Sequence, residues 1–262
     1  MLKNKVAVIY GAGGGIGAAV ARAFALEGAT VFLTGHKRAS IEAVAEEIVS
    51  AGGSAAAAEV DSLDEQAIDQ HLQSVIDKTD RLDISFNAVG IPNAKILGLP
   101  LTELDAELFS LPITTYAMSY FLTARLAARR MIPKKSGAIM TATAVHSRTG
   151  IPLVGGYGPA MAAKEALTRD LSVELAPHGI RVVGLRPYAM PETPTIKDAY
   201  EPRAKMSGMT WEQWQAQLAG RTHTRRLMTL TEMTNLAVFM ASDKASGMTG
   251  TTVNLTMGTV DD

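Results

Sequence analysis

Short apolar runs alternate with longer amphipathic runs along this 262-residue chain, and this order limits the possible folds more than any other feature. The short runs are the predicted strands: Val6–Tyr10, Thr30–Thr34, Ser54–Val60, Leu82–Asn87, Gly137–Thr143, Ile180–Arg186 and Thr252–Leu255. The longer runs are the predicted helices: Gly15–Glu27, Ser40–Ala51, Asp64–Thr79, Thr114–Met131, Tyr157–Ala176 and Leu230–Ala241. The alternation favours a single α/β domain whose parallel sheet carries helices on both faces.

Composition excludes several functional classes. The formal net charge is −1, which gives no support for nucleic-acid or membrane-surface binding. The chain has no cysteine, so disulfides, a thiol nucleophile and a cysteine-ligated metal site are excluded. No cluster of His, Asp or Glu has metal-ligand spacing, and no apolar stretch is long enough to span a bilayer. We therefore expect a cytoplasmic protein that acts on a small molecule without a metal.

Two proline-containing segments interrupt the alternation. The segment Ile91–Pro112 holds three prolines and is predicted to be irregular. A second long excursion covers residues 188–220, after the sixth predicted strand, and includes an amphipathic piece around Trp211 and Trp214. It follows the carboxyl end of a strand, where ligands bind in open α/β sheets, so it is a candidate substrate lid. The alternative is that it only decorates the surface.

A glycine-rich turn joins the first predicted strand to the first helix. It contains Gly11, Gly15 and Gly17, with Ile16 between the last two. Glycines permit a tight turn and allow main-chain N–H groups to approach a pyrophosphate at the positive end of a helix. In this strand–turn–helix context the motif predicts a dinucleotide site, although a purely structural turn would carry the same glycines.

The residues after the second predicted strand bear on the choice of cofactor. A site for NAD places an acidic residue there, to bind the 2′-hydroxyl of the ribose. Here the acid is missing, and His36, Lys37 and Arg38 stand in its place. Basic side chains stabilise a 2′-phosphate, so the sequence favours NADP(H). The alternative is a solvated start of the second helix.

The segment from Tyr157 to Arg169, with the sequence YGPAMAAKEALTR, resembles the active-site helix of the short-chain dehydrogenases/reductases. Further resemblances cover almost the whole chain: the glycine turn, Asn87–Gly90, Ile180–Pro187, and the stretch from Ser242 to Gly250. The resemblance implies a Rossmann-like, doubly wound parallel sheet. It also implies cofactor contacts from Asp61, at the adenine, and from Asn87 and Pro187.

The catalytic residues of that family are Asn, Ser, Tyr and Lys, and the resemblance implies their roles. The tyrosine transfers a proton to or from the substrate oxygen, and the lysine lowers its pKa and binds the nicotinamide ribose. Only the tyrosine is retained here, as Tyr157. By ungapped spacing, the serine position is Ala144, the lysine position is Met161 and the asparagine position is Tyr116. The glycine of the family's Pro-Gly turn is likewise replaced, by Tyr188.

Lys164 is a possible substitute for the missing lysine. Seven helical residues correspond to about 700°, so Lys164 shares a face with Tyr157, about 10 Å further along the axis. A helical side chain leans toward the N-terminus, so its ammonium could reach back to assist the tyrosine. The spacing Tyr-x6-Lys is similar to that of enoyl-acyl-carrier-protein reductases. The alternative is a solvated or interface lysine. His146 is a further candidate, as a proton donor, a substrate contact or an ordinary polar residue.

Three functions remain open from the sequence. The first is an NADP(H)-dependent oxidoreductase that acts on a carbonyl or a conjugated C=C, with Tyr157 as the acid. The second is a non-redox enzyme, an isomerase, lyase or cyclase, that keeps the same scaffold. The third is a catalytically silent nucleotide-binding protein. The resemblance also implies a homodimer or homotetramer. Two predicted helices carry five apolar residues that we expect to exceed what one sheet face covers: Tyr120, Leu122, Leu126, Leu171 and Leu175.

Overall fold

The computed structural model describes residues 1–92 and 97–261, and they form one seven-stranded sheet flanked by helices. The strands are β1 (Val6–Tyr10), β2 (Thr30–Gly35), β3 (Ser54–Glu59), β4 (Ile84–Asn87), β5 (Gly137–Ala142), β6 (Ile180–Pro187) and β7 (Thr251–Leu255). The helices are α1 (Gly15–Leu26), α2 (Arg38–Ser50), α3 (Glu65–Thr79), α4 (Ala106–Met131), α5 (Tyr157–Leu175), α6 (Pro194–Met206), α7 (Trp211–Gly220) and α8 (Leu230–Ala241). The predicted α/β class and the Rossmann-like sheet are confirmed.

The strand order explains where a ligand can bind. The order is β3-β2-β1-β4-β5-β6-β7, and every adjacent pair is parallel. The chain builds outward from β1 to β3, then returns to place β4 on the other side of β1. The loops after β1 and β4 therefore diverge, and they leave a crevice between them at the carboxyl edge.

Apolar side chains on both faces of the sheet make two cores. On one face, Ile9 of β1 packs in a cluster with side chains of α1, α2 and α8. On the other face, Val8 of β1 packs in a cluster with side chains of α3, α4 and α5. Successive strand residues point to opposite faces, so a strand buried on both sides needs the continuous apolar run that β1 has.

The structure corrects the expected start of α4. The helix begins at Ala106 rather than at Thr114 and continues through Pro112. A proline has a helical φ, and its main cost within a helix is the hydrogen bond that its nitrogen cannot donate. The irregular segment expected over Ile91–Pro112 is therefore shorter than predicted, and its residues 93–96 lie outside the described residues. The excursion after β6 is also more regular than expected, because it forms α6 and α7.

The apolar residues that we expected at an interface are buried within the single chain. Tyr120, Leu122 and Leu126 of α4 and Leu171 and Leu175 of α5 all have at most 8% exposure. They pack against the sheet and against each other, in the same core as Val8. These five side chains thus provide no free surface for a partner, and that argument for assembly was wrong. Among the described helices, none combines the length and the apolarity needed to cross a membrane.

Candidate active site

A cavity of about 760 Å³ opens at the carboxyl edge of the sheet. Its walls come from the loops that follow β1, β2, β4, β5 and β6 and from the start of α5. The lining includes the glycine turn, Gly35–Lys37, Ala88–Pro92, Ala142–His146, Tyr157, Met161 and Pro187–Met190. The cavity therefore occupies the crevice at the reversal of strand order, where open α/β sheets bind their ligands.

The glycine turn allows close packing of the main chain and also forms part of the cavity wall. Gly11 has a φ of +75°, and a Cβ there would lie 2.5 Å from the carbonyl oxygen of Ala88. A Cβ on Gly17 would overlap the carbonyl oxygen of Gly11. These two glycines therefore allow β1, β4 and α1 to approach closely. Gly15 and Ile16 line the cavity, as does Gly11, whereas Gly17 is buried in the turn. Gly17 thus supports the predicted cofactor turn from behind.

The three basic residues after β2 point in different directions. His36 and Lys37 line the cavity. Arg38 begins α2, and its Nε lies 2.7 Å from Oε1 of Glu42 on the same helix. The Arg38 side chain is 72% exposed. Lys37 and His36 are therefore the basic residues of this cluster that line the cavity. Arg38 was expected beside the cofactor, but it does not line the cavity.

Two further residues expected at the cofactor are engaged with the protein. Oδ1 of Asp61 accepts a hydrogen bond of 2.8 Å from the main-chain N–H of Leu63, and it is Ser62 that lines the cavity. Asn87 is buried, and its amide donates to Oγ1 of Thr123 at 3.2 Å. Both residues shape the loops beneath the cavity. Pro187, the last residue of β6, does line it.

Tyr157 is placed in the cavity by the close packing of α5 against α4. It is the first residue of α5 and follows Gly156, the N-cap. A Cβ on Gly156 would overlap the carbonyl oxygen of Phe109 in α4, so only glycine permits this approach. The main-chain N–H of Tyr157 donates to the carbonyl oxygen of Val154 at 3.1 Å. These contacts fix the position from which the phenol enters the cavity.

Aromatic and apolar side chains surround the phenol. The ring centroid of Tyr157 lies 5.5 Å from that of Tyr116 and 4.9 Å from that of His146, both with edge-to-face geometry. The hydroxyl of Tyr116 accepts a hydrogen bond of 3.3 Å from the main-chain N–H of Ile91. Met161 and Ala144, at the positions where the family carries lysine and serine, also line the cavity. The structure thus brings Tyr157, Tyr116 and His146 together, as the sequence indicated.

The protonation states of this aromatic group follow from burial. Burial, together with the neighbouring Tyr116 and Tyr200, raises the pKa of Tyr157 well above its ordinary value. Burial, assisted by the positive charge of Arg203, lowers the pKa of His146 to about 4. Within the described chain, Nδ1 of His146 is buried without a hydrogen-bond partner. At neutral pH the site therefore holds a protonated phenol and a neutral imidazole.

Lys164 lies in the core, which corrects the alternative of a solvated or interface lysine. Its side chain is 1% exposed, and Nζ donates to the carbonyl oxygen of Ala142 at 2.8 Å and to Oδ1 of Asn87 at 3.4 Å. The ammonium also lies 5.8 Å from the ring centroid of Tyr116 and 5.7 Å from that of Tyr120. The face of α5 that carries Lys164 packs against α4 and the sheet, so its side chain meets the ends of β4 and β5. It neither lines the cavity nor lies in solvent.

A buried ion pair positions the loop after β5. The carboxylate of Glu165 accepts two hydrogen bonds from the guanidinium of Arg186, at 2.8 and 2.9 Å. It also accepts hydrogen bonds from the hydroxyls of Ser147, at 2.5 Å, and Thr143, at 3.2 Å. Burial alone would raise the pKa of Glu165, but these hydrogen bonds outweigh it and lower the pKa. The carboxylate therefore fixes both ends of the loop that carries Ala144 and His146.

Part of the cavity wall was not identified from the sequence. Ile196, Tyr200 and Arg203 of α6 all line the cavity. They are spaced i, i+4 and i+7, so they share one helical face, and this spacing was a usable signal. The proline at position 194 marks the first turn of the helix, where proline is tolerated. The segment was predicted as part of a long excursion and candidate lid, but no helix was predicted over Pro194–Met206, so the pattern was missed.

Comparisons with known proteins agree with this geometry. The sequence matches the model of a family described as Enoyl-(Acyl carrier protein) reductase over residues 11–259. It is 28% identical to an uncharacterized oxidoreductase of Bacillus subtilis, over 98% of this chain and 98% of that protein. It is also 28% identical to the 7alpha-hydroxysteroid dehydrogenase of Escherichia coli, over 99% of this chain and 95% of that protein.

A solved structure extends the comparison to the fold. NAD+-bound xylitol dehydrogenase superposes with a TM-score of 0.88 at 26% identity, over 96% of this chain and 97% of that one. The family match spans nearly the whole chain, and the seven-stranded parallel sheet agrees with the fold of that solved structure. The chain belongs to the short-chain dehydrogenase/reductase family of oxidoreductases.

Proposed function

We propose that the protein is an NADP(H)-dependent reductase of a carbonyl or an activated C=C, with Tyr157 as the proton donor. The observation that carries the proposal is that one cavity is lined by the glycine turn, by Lys37 and by Tyr157. The glycine turn and Lys37 suit a phosphorylated dinucleotide, and Tyr157 supplies an acid in the same cavity. Membership of an oxidoreductase family supports the same reading.

The chain's residues fit a nicotinamide dinucleotide. The main chain of Gly13–Ile16 lies where the N–H groups at the start of α1 would hold the pyrophosphate. Lys37 would face the 2′-phosphate, with His36 and Ser40 beside it on the cavity wall. A Cβ on Gly15 would lie 3.2 Å from the Thr193 side chain, so this glycine keeps the passage between turn and excursion open. The basic residues Lys37 and His36 on the cavity wall support NADP(H) over NAD(H).

The reaction divides between the cofactor and the chain. The nicotinamide, when bound, supplies a hydride to the electrophilic carbon of the substrate. For a ketone, Tyr157 donates its phenolic proton to the carbonyl oxygen as that oxygen gains negative charge, and the product is an alcohol. The phenolate then regains a proton from solvent. His146 and Tyr116 border the same phenol and would orient the substrate.

The surroundings of Tyr157 favour reduction over oxidation. A raised pKa keeps the phenol protonated, so it is ready to donate but difficult to ionise. In the family the lysine lowers that pKa, whereas here Met161 is apolar and Lys164 donates its hydrogen bonds to Ala142 and Asn87. An alkoxide is a stronger base than a phenolate, so donation to a reduced carbonyl remains favourable. Alcohol oxidation would require the phenolate as base, and this site disfavours it.

We also propose that residues 188–220 act as a substrate lid. Tyr188, Met190, Ile196 and Tyr200 place four apolar or aromatic side chains on the cavity wall. Loops and helices at the carboxyl edge commonly close over ligands and exclude water. A cytoplasmic location and assembly as a homodimer or homotetramer remain predictions. The oligomer is supported by the family resemblance alone.

The proposed function is tested by NADPH consumption with a panel of ketones, enones and imines. We expect turnover with at least one class, and slower turnover when NADH replaces NADPH. Each class needs a blank without substrate and a blank without protein. If the protein binds NADPH but consumes it with no member of the panel, the proposed reaction is wrong.

A further inference from the structure

Arg203 is the cationic side chain that α6 contributes to the cavity wall. It is partly buried, and one of its N–H groups donates to the carbonyl oxygen of Leu153 at 2.8 Å. Its guanidinium carbon lies 5.6 Å from the ring centroid of Tyr200, over the aromatic face. A guanidinium has five N–H donors, so several remain for a ligand. Among the described residues no carboxylate lies within ion-pair distance of Arg203.

The position of Arg203 places its charge near the reactive phenol. Its positive charge contributes to the lowered pKa of His146, and the His146 ring lies 4.9 Å from that of Tyr157. Tyr200, which Arg203 covers, contributes to the raised pKa of Tyr157. Arg203 therefore lies at the end of the cavity that holds His146 and Tyr157, whereas Lys37 follows β2.

The surroundings of Arg203 strengthen the attraction of its positive charge for an anionic ligand. The cavity that Arg203 lines also has apolar and aromatic residues on its wall, among them Ile196, Tyr200, Val145 and Met190. Asp198 also lines the cavity, but it is exposed and makes no ion pair with Arg203. A cation with few charged neighbours and reduced solvation attracts an anion more strongly than a solvated surface cation does. The planar fork of donors matches a carboxylate.

We propose that Arg203 forms an anion-binding subsite, so that the preferred substrate is an oxo acid or unsaturated acid bound through its carboxylate. This inference rests on the proposed function, because it assigns the substrate class of the same site. The carboxylate would pair with Arg203, and the reducible carbon would lie further in, toward Tyr157. The hydrogen bond to Leu153 fixes the guanidinium on the loop that leads into α5.

Calorimetry on the NADP+-loaded and the nucleotide-free protein tests this directly. The ligands are straight-chain keto acids of increasing length, beginning with levulinate, each compared with its methyl ester. We expect at least one acid to bind about tenfold more tightly than its ester, which corresponds to about 1.4 kcal/mol. Arg203→Met should remove that preference, and Arg203→Lys should retain part of it.

Lys205→Ala is the matched control, since it removes one positive charge from the exposed face of the same helix. It should leave the preference for the acid unchanged. The subsite is wrong if parent protein binds acid and ester alike, binds neither, or keeps its preference after Arg203→Met. Loss of ester and acid binding together would show that Arg203 only tethers α6 to Leu153, and would also overturn the subsite. Binding of the acid to nucleotide-free protein does not depend on hydride transfer. The subsite can therefore be confirmed or refuted even if the proposed reaction is wrong.

Discussion

Nζ of Lys164 lies 2.8 Å from the carbonyl oxygen of Ala142, and this contact directs the lysine to the end of β5 rather than to the phenol of Tyr157. The side chain is buried, and Asn87 supplies its other hydrogen-bond acceptor. We therefore expect that the missing lysine of the family is not replaced from the next helical turn. Tyr157 is therefore expected to act with the apolar side chain of Met161 in the lysine position.

The burial of Lys164 gives protein stability an unusual dependence on pH. Burial lowers the pKa of Lys164 to about 7 from its usual value of 10.5. Between these values the unfolded chain holds the proton and the folded protein has released it, so the free energy of unfolding rises with pH. We expect a rise of about 3 kcal/mol between pH 7 and pH 9.5 from this residue.

Urea unfolding of the parent and of Lys164→Met over this range measures the effect. The variant should lack most of the rise, because methionine does not titrate. Lys205→Met is the control, since Lys205 is exposed, and its pH dependence should match that of the parent. Parallel curves for the parent and Lys164→Met would show that the lysine keeps an ordinary pKa.

The cofactor preference is expected to depend on Lys37 and not on Arg38. Lys37 lines the cavity, while Arg38 is paired with Glu42 on the helix surface. Lys37→Ala should reduce the preference for NADPH over NADH by about tenfold, which is about 1.4 kcal/mol. Arg38→Ala also removes one positive charge, one residue away, and should change the preference for NADPH much less. Titration calorimetry with both cofactors decides the point, and a larger effect of Arg38→Ala would contradict the placement.

Gly156 is expected to control the position of Tyr157. A Cβ there would overlap the carbonyl oxygen of Phe109, so Gly156→Ala must push α5 away from α4. We expect a loss of about 1–3 kcal/mol in the free energy of unfolding, together with a loss of turnover. Gly220→Ala is the control, because nothing lies within 4 Å of a Cβ at that position. Equal stability of the two variants would refute the close approach.

Met161→Lys should restore the family's spacing and raise turnover. Met161 lines the cavity one helical turn after Tyr157, so a lysine there would place an ammonium beside the phenol and lower its pKa. We expect about a tenfold gain in kcat/KM for ketone reduction and a measurable rate of alcohol oxidation. Met190→Lys puts a lysine elsewhere on the cavity wall and should bring neither gain. Unchanged rates for Met161→Lys would mean that proton transfer does not limit turnover.

The sequence predicted the scaffold well because the scaffold follows from local patterns. The apolar run of β1, the glycines after it and the amphipathic run of α8 are each sufficient to place an element. The family resemblance pointed to Tyr157, and the structure places this residue on the cavity wall. The start of α4 was misjudged, because Pro112 was interpreted as a break although its φ is compatible with a helix.

The directions of long side chains could not be predicted in the same way. Lys164 and Tyr157 share a helical face, but the packing of α5 against α4 turns the lysine toward β4 and β5. Arg38 was expected at the cofactor, yet Glu42 one turn later binds it. Each outcome depends on a neighbouring side chain or main-chain carbonyl, and spacing along the chain does not contain that information.

The role of Tyr157 as proton donor is tested most directly by NADPH consumption with a ketone or enone that the parent protein reduces. The proteins compared are the parent, Tyr157→Phe and Tyr116→Phe. We expect Tyr157→Phe to lower kcat by about 10²-fold or more while NADPH affinity is preserved, because only the proton donor is lost. Tyr116→Phe keeps the neighbouring ring and should lower kcat much less. Parental turnover that survives Tyr157→Phe within a few-fold would contradict the central claim.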